Sequence, residues 1–204
     1  MLCRHTIGIV GIGQVGMAAA NALFQQRIAN ELILIDLDRK RAEGEAMDLM
    51  HAQGYVGRRR VWAGDYADLV NAKIVIVTAG VSHKPGEDRL SLLNRNAAVF
   101  KQIAERLDSH APEAIVLIAS NPVDILTYLR QELYALSKRI RAACYPSASG
   151  FMGSMASRMC LSIPVAVGLK GAEERAPLPL DEGERAALMA SAETLRKFLR
   201  SLSL

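Results

Sequence analysis

The residues best suited to chemistry stand near the start of the chain. Gly11, Gly13 and Gly16 form a G-x-G-x-x-G run, with Ile12, Gln14 and Val15 between them. The run follows a β-branched apolar stretch, residues 6–10. It precedes a stretch in which Met17, Ala20, Leu23 and Phe24 recur at helical spacing. The strand–turn–helix context gives the motif its meaning. The first glycine permits a tight turn, the second lets the backbone approach a pyrophosphate, and the third lets helix and strand pack closely. The helix start then offers amides and a partial positive charge to phosphates. Asp36 stands twenty positions past Gly16, at the end of a second apolar run, residues 31–35. A carboxylate there accepts hydrogen bonds from ribose hydroxyls and repels a 2′-phosphate, which predicts a dinucleotide site that prefers NAD to NADP. Arg39, Lys40 and Arg41 follow closely and pull the other way. Without a ligand, the same residues make a tight turn and a strand-end cap.

These groups need a frame. Short apolar runs at residues 6–10, 31–35, 61–63, 74–77 and 115–118 read as buried strands. Helices are expected up to about Gln26, from an Asp38 cap through Met47 and Met50, and along the stripe Leu90, Leu93, Ala97, Phe100, Ile103, Ala104 and Leu107. A further helix is expected over residues 123–136, with Pro122 in its first turn. Strict alternation of this kind predicts an α/β fold: a doubly wound parallel sheet with helices on both faces. From about Lys138 the rhythm breaks. Residues 160–167 can form a strand, which Pro164 demotes towards an edge. Asp181 with Glu184 resembles a capping box, and Leu188, Ala192, Leu195, Phe198, Leu199 and Leu202 stripe a final helix.

Composition bounds the answer. The chain has 204 residues, half of them hydrophobic and 23% charged, too apolar for disorder. No apolar run reaches a membrane span, so no membrane partner is expected. The net charge is +4, with part of the excess in Arg58, Arg59 and Arg60 and more in Lys138, Arg139 and Arg141. No aromatic platform or nucleic-acid motif accompanies them, so they read as a solvated turn and strand edge, with no nucleic-acid partner. Cys3, Cys144 and Cys160 are an odd set without C-x-x-C spacing, which argues against a disulfide framework and against a metal site. The first residues show no cleavable leader, and a cytoplasmic location is expected.

Five motifs now appear in order. They are residues 10–16; Asp36 with Ala42-Glu43-Gly44-Glu45-Ala46-Met47-Asp48-Leu49; Thr78-Ala79-Gly80; Lys84-Pro85-Gly86-Glu87-Asp88-Arg89-Leu90; and Ser120-Asn121-Pro122-Val123-Asp124. Through them the chain resembles the L-lactate/malate dehydrogenase family, and the lactate branch most closely. The resemblance is nearly continuous from Thr6 to about Ser137. It implies a Rossmann-type NAD-binding domain over residues 1–140 and a short remnant of the C-terminal α+β substrate domain, a strand plus the final helix, over residues 141–204. It also implies hydride transfer between NAD and a small 2-hydroxy or 2-keto acid. Gly11, Gly13, Val15 and Gly16 would cradle the pyrophosphate and Asp36 would hold the ribose. Arg41 and Tyr66 fall at the adenosine end, and Gly80 and Val81 back the nicotinamide. Asn121 would touch the nicotinamide ribose and the substrate, and Arg89 would polarise the substrate carbonyl. His83 occupies the position that selects substrate, where lactate enzymes carry Gln and malate enzymes Arg. A neutral imidazole suits a bulky or polar side chain and an imidazolium a carboxylate, so substrate choice stays open.

The resemblance also implies residues that this chain lacks. The family's acid–base histidine lies in a Gly-Glu-His-Gly context, oriented by the aspartate of an L-D-x-x-R motif whose arginine clamps the substrate carboxylate. His5, His51, His83 and His110 have no such context, and no L-D-x-x-R follows residue 124. Family resemblance resumes at residues 160–168 and 177–180, as if two parts were joined near residues 139–148. A deleted gene copy, a mis-assembled gene model and a divergent paralogue all give this pattern. The expectation is a chain that is inactive alone and forms a homo-oligomer. The alternative is a non-catalytic NAD-binding or interaction module that pairs with a full-length paralogue. The parallel sheet should either stop at residues 115–118 or be extended by residues 160–167.

Overall fold

Five short runs rich in Val, Ile and Leu pair into one parallel sheet. They are β1 (Thr6–Val10), β2 (Glu31–Ile35), β3 (Arg60–Ala63), β4 (Ile74–Val77) and β5 (Ile115–Ile118). The computed structural model describes residues 5–81, 86, 89–121, 123, 125–126, 165–168, 171–175 and 179–201. The strand order is β3-β2-β1-β4-β5. After β1 the chain first builds outward on one side and then crosses to the other, so a crevice opens at the strands' C-terminal ends between β1 and β4.

The side-chain period of two sorts the apolar residues onto two faces. Leu32 and Leu34 of β2 join Ile7 and Ile9 on one face, beneath α1 (Gln14–Gln25) and α2 (Arg39–His51). Ile33 and Ile35 turn to the other face with Val10, Val75, Val77 and Val116. There they meet Leu93, Ala97, Phe100, Ile103, Ala104 and Leu107 of α4 (Arg89–His110). The α4 residues recur every three or four positions, which keeps one stripe on the sheet. Asp38 caps α2 by accepting from the Arg41 amide at 3.2 Å.

Two short elements were not foreseen. A single helical turn, α3 (Gln53–Val56), follows α2, and a 3-10 turn, Tyr66–Asn71, follows β3. The 3-10 turn starts with a reciprocal cap, in which Asp65 and Asp68 each satisfy the other's backbone amide. The third strand begins one residue earlier than expected, at Arg60. Arg60 pairs with Glu31 at 3.2 Å and lies over the Trp62 ring at 5.0 Å, so part of the arginine triplet is bound into the sheet's outer strand. Lys138, Arg139 and Arg141 lie outside the described residues.

The late strand does not extend the parallel sheet. β6 (Val165–Gly168) pairs antiparallel with β7 (Gly171–Arg175) in a separate two-stranded sheet. Residues 160–164 lie outside the described residues. Among the described residues, the parallel sheet ends at β5. The final helix, α5 (Glu182–Ser201), begins with the expected capping box: the Glu184 amide donates to Asp181 at 2.7 Å and the Asp181 amide to Glu184 at 3.0 Å. Ala192 is buried and Leu195 packs against the core on the α4 side. Among the described residues, no helix is long and apolar enough to cross a membrane.

Candidate cofactor-binding site

The glycine turn joins β1 to α1 at the mouth of the crevice. Gly11 has φ of +97°, a backbone region that L side chains rarely adopt, and a Cβ there would also run into the backbone of Ala79. Gly16 packs its Cα against the turn, and a Cβ would overlap the Gly11 carbonyl oxygen. Gly13 differs. It is the N-cap of α1, makes no side-chain cap, and a Cβ on it would meet nothing within 4 Å. The first amides of α1 therefore have no side-chain acceptor at the cap, in front of open space. Val15 is 59% exposed on the same turn. The cradle fits a pyrophosphate: free amides, the positive end of a helix, and room at Gly13 for close approach.

Asp36 follows β2 and faces this turn. Its Oδ2 accepts from the Ile12 amide at 2.6 Å and its Oδ1 from the Asp38 amide at 3.0 Å. The carboxylate thus ties the first βα turn to the second. Each oxygen keeps a further lone pair for a ribose hydroxyl. Arg41, in the first turn of α2, is exposed.

Tyr66 is placed differently from the other adenosine-end residue. Its ring is buried in the core on the α4 side, with the Arg106 guanidinium 5.2 Å from its centroid. Burial pushes its phenol above the ordinary range; Arg106 opposes the shift and Asp65 adds to it.

On the other side of the crevice, residues 78–81 leave β4 and pass the glycine turn. The Thr78 hydroxyl donates to the Gly11 carbonyl at 2.5 Å. Gly80 and Val81 follow, with the Val81 amide donating to Asn96 of α4 at 2.9 Å. Ser120, just past β5, donates to the Ala79 carbonyl at 2.6 Å. Asn121 is exposed beside it. Thr78 and Ser120 stand in two of the sequence motifs but were given no role there, and Asn96 was not singled out. The available signal was a polar residue, Asn96, inside the apolar stripe of α4, where a buried amide must find partners. The backbone of Arg89 opens α4, but its side chain and all of His83 lie outside the described residues.

Comparison with known proteins matches residues 5–140 to the family described as lactate/malate dehydrogenase, NAD binding domain. An L-lactate dehydrogenase of Salinibacter ruber is 54% identical over 140 residues, 68% of this chain and 44% of that protein. One of Thermus aquaticus is 48% identical over 130 residues, 64% of this chain and 42% of that protein. The chain thus spans less than half the length of these curated relatives. In fold it is similar to the crystal structure of MGS-M5, a lactate dehydrogenase enzyme from a Medee basin deep-sea metagenome library. The TM-score is 0.81 at 24% identity, over 98% of this chain and 99% of that one. A minor L-lactate dehydrogenase from Enterococcus mundtii gives the same TM-score at 23% identity, over 98% and 99% of the two chains.

Proposed function

Because the chain belongs to the lactate/malate dehydrogenase family, with residues 5–140 as its NAD-binding domain, we propose that it holds NAD for hydride exchange with a small 2-hydroxy or 2-keto acid and cannot complete that reaction alone. The observation that carries this reading is the uncapped start of α1, open at Gly13 and flanked by Asp36. Gly11, Gly13, Val15 and Gly16 hold the pyrophosphate, Asp36 the adenosine ribose, and Arg41 the adenosine end, with Tyr66, buried in the core, as support and not as a contact. Gly80 and Val81 back the nicotinamide. Asn121 binds the nicotinamide ribose and the substrate, Arg89 polarises the substrate carbonyl, and His83 bears on substrate choice. Bound NAD supplies or takes up the hydride. Residues 1–140 form the cofactor unit, and residues 141–204 are the remnant of the substrate domain.

Calorimetry tests the reading. NADH is expected to bind about tenfold or more tightly than NADPH, because the Asp36 carboxylate opposes a 2′-phosphate at close range. Asp36→Ala narrows that gap. Equal or tighter NADPH binding by the unmodified chain would sink it.

A second reading, self-association or pairing with a full-length paralogue, is favoured by two exposed apolar side chains. Met47 and Tyr55 are 60% and 89% exposed. Tyr55 borders a groove of about 550 Å³ between α1, α2 and α3, with apolar walls from Met17, Leu49 and Val56 and a polar rim from Asn21, Gln25, Glu45 and Asp48. Large apolar side chains exposed beside a groove suit a partner surface. Light scattering is expected to show a species larger than the 22.2 kDa chain. Met47→Lys with Tyr55→Lys should return it to monomer. A sharp monomer for the unmodified chain at all concentrations would count against self-association.

A further inference from the structure

We infer that Asn96 and Ser120 are positioning residues for the nicotinamide half of the dinucleotide, acting through the loop 78–81 and not by touching the ligand. The inference rests on the dinucleotide reading above. Topology divides the ligand. Asp36 at the end of β2 takes the adenosine ribose and the turn after β1 takes the pyrophosphate. The remaining nucleoside therefore lies over the ends of β4 and β5, across the switch point. Residues 78–81 form the floor there.

That floor has no regular secondary structure, yet side chains fix it at three points. Thr78 ties it to Gly11. Ser120 is buried and gives its one hydroxyl proton to the Ala79 carbonyl. Asn96 is buried on α4; its Oδ1 accepts from the Val81 amide and its Nδ2 donates to the Leu92 carbonyl at 3.2 Å. The two bonds determine which way the amide points, since an N–H faces its oxygen and a carbonyl faces its nitrogen. Gly80 completes the fit, because a Cβ there would stand 3.2 Å from Asn96 Oδ1. The clasp thus joins β4, β5 and α4 through part-buried bonds, and a loop held this way presents its backbone to a ligand with a reduced ordering cost on binding.

The test compares two ligands. ADP carries the adenosine and the pyrophosphate, and NADH adds the nicotinamide nucleoside. In Asn96→Ala and in Ser120→Ala, NADH affinity is expected to fall about three- to tenfold while ADP affinity stays within about twofold. Ser120→Thr keeps the hydroxyl and should keep NADH affinity. Equal losses for NADH and ADP would mean general loosening and overturn the inference. So would unchanged NADH affinity in Ser120→Ala, the variant that decides the matter if Asn96→Ala does not fold. An unmodified chain that binds neither ligand overturns the dinucleotide reading and this inference with it. An unmodified chain that binds both, with indifferent variants, overturns the inference alone.

Discussion

Mixed with NADH and pyruvate, oxaloacetate or a branched 2-keto acid, this chain is expected to show no measurable turnover. Hydride transfer to a keto carbonyl creates an alkoxide, which must be protonated as it forms. A positioned acid contributes about 10²–10⁴-fold to such a step. The chain has four histidines, and the fold removes three of them from the crevice. His5 immediately precedes β1, at the end of the sheet opposite the glycine turn. His51 and His110 close α2 and α4, helices that run back between parallel strands and so finish at that same far end. His110 is also bonded to the Arg106 carbonyl of its own helix at 2.9 Å. Only His83 follows a strand's C-terminal end, between β4 and α4, and it has no L-D-x-x-R aspartate to orient it. The carboxylate clamp of that motif is missing too, so the substrate lacks two-point orientation beside the nicotinamide. Turnover of about 1–10³ s⁻¹ that vanishes in His83→Ala would show that His83 serves as the acid. Turnover lost instead in Arg89→Ala, and indifferent to His83, would point to an acid outside these residues.

The second large effect separates two glycines of one motif. Gly16→Ala puts a methyl into the Gly11 carbonyl oxygen, with the Thr78 hydroxyl 2.8 Å away. The first obstacle is backbone and cannot step aside without moving the β1 turn. We expect a loss of about 2–4 kcal/mol of stability, at or beyond the usual range for overpacking. For a chain of this size each kcal/mol lowers the melting temperature by about 2–4 °C. Gly13→Ala should leave melting nearly unchanged, since its methyl meets nothing within 4 Å. It should weaken NADH about tenfold or more, because the methyl fills the space through which the pyrophosphate approaches the helix amides. Thermal melting and calorimetry on both variants check the pair. A Gly16→Ala chain that melts with the parent would refute the packing argument. A Gly13→Ala chain that keeps its NADH affinity would refute the cradle.

Much of this frame was legible in the residues. Strands β1, β2, β4 and β5 lie where the β-branched runs predicted, because burial on both faces leaves a continuous apolar signal. The glycine motif and Asp36 were legible from their spacing within a strand–turn–helix context. β7 was not: Gly171-Ala172-Glu173-Glu174-Arg175 has no apolar alternation, and its strand comes from pairing with β6. The 3-10 turn at Tyr66–Asn71 depends on the reciprocal Asp65 and Asp68 cap, too short a signal to separate from a loop. The clasp at Asn96 and Ser120 needed the fold, since its bonds cross between elements 15 and 41 residues apart. So did the bond from Asp36 to Ile12, which exists only because β1 and β2 are neighbours.

That last bond bears on how such a domain can change over generations. In many proteins a specificity residue is free to drift, since nothing else leans on it. Here the carboxylate proposed to oppose a 2′-phosphate also anchors the Ile12 amide of the glycine turn. Replacing Asp36 by a neutral or basic residue to admit the phosphate removes that anchor in the same step. The descendant must find a new acceptor for the Ile12 amide, or bear a looser turn, before the altered preference is of use. On that reading two changes are needed where one would otherwise do. On the proposed dinucleotide reading, the tie couples the choice of cofactor to the shape of the glycine turn, so that one cannot be altered without disturbing the other.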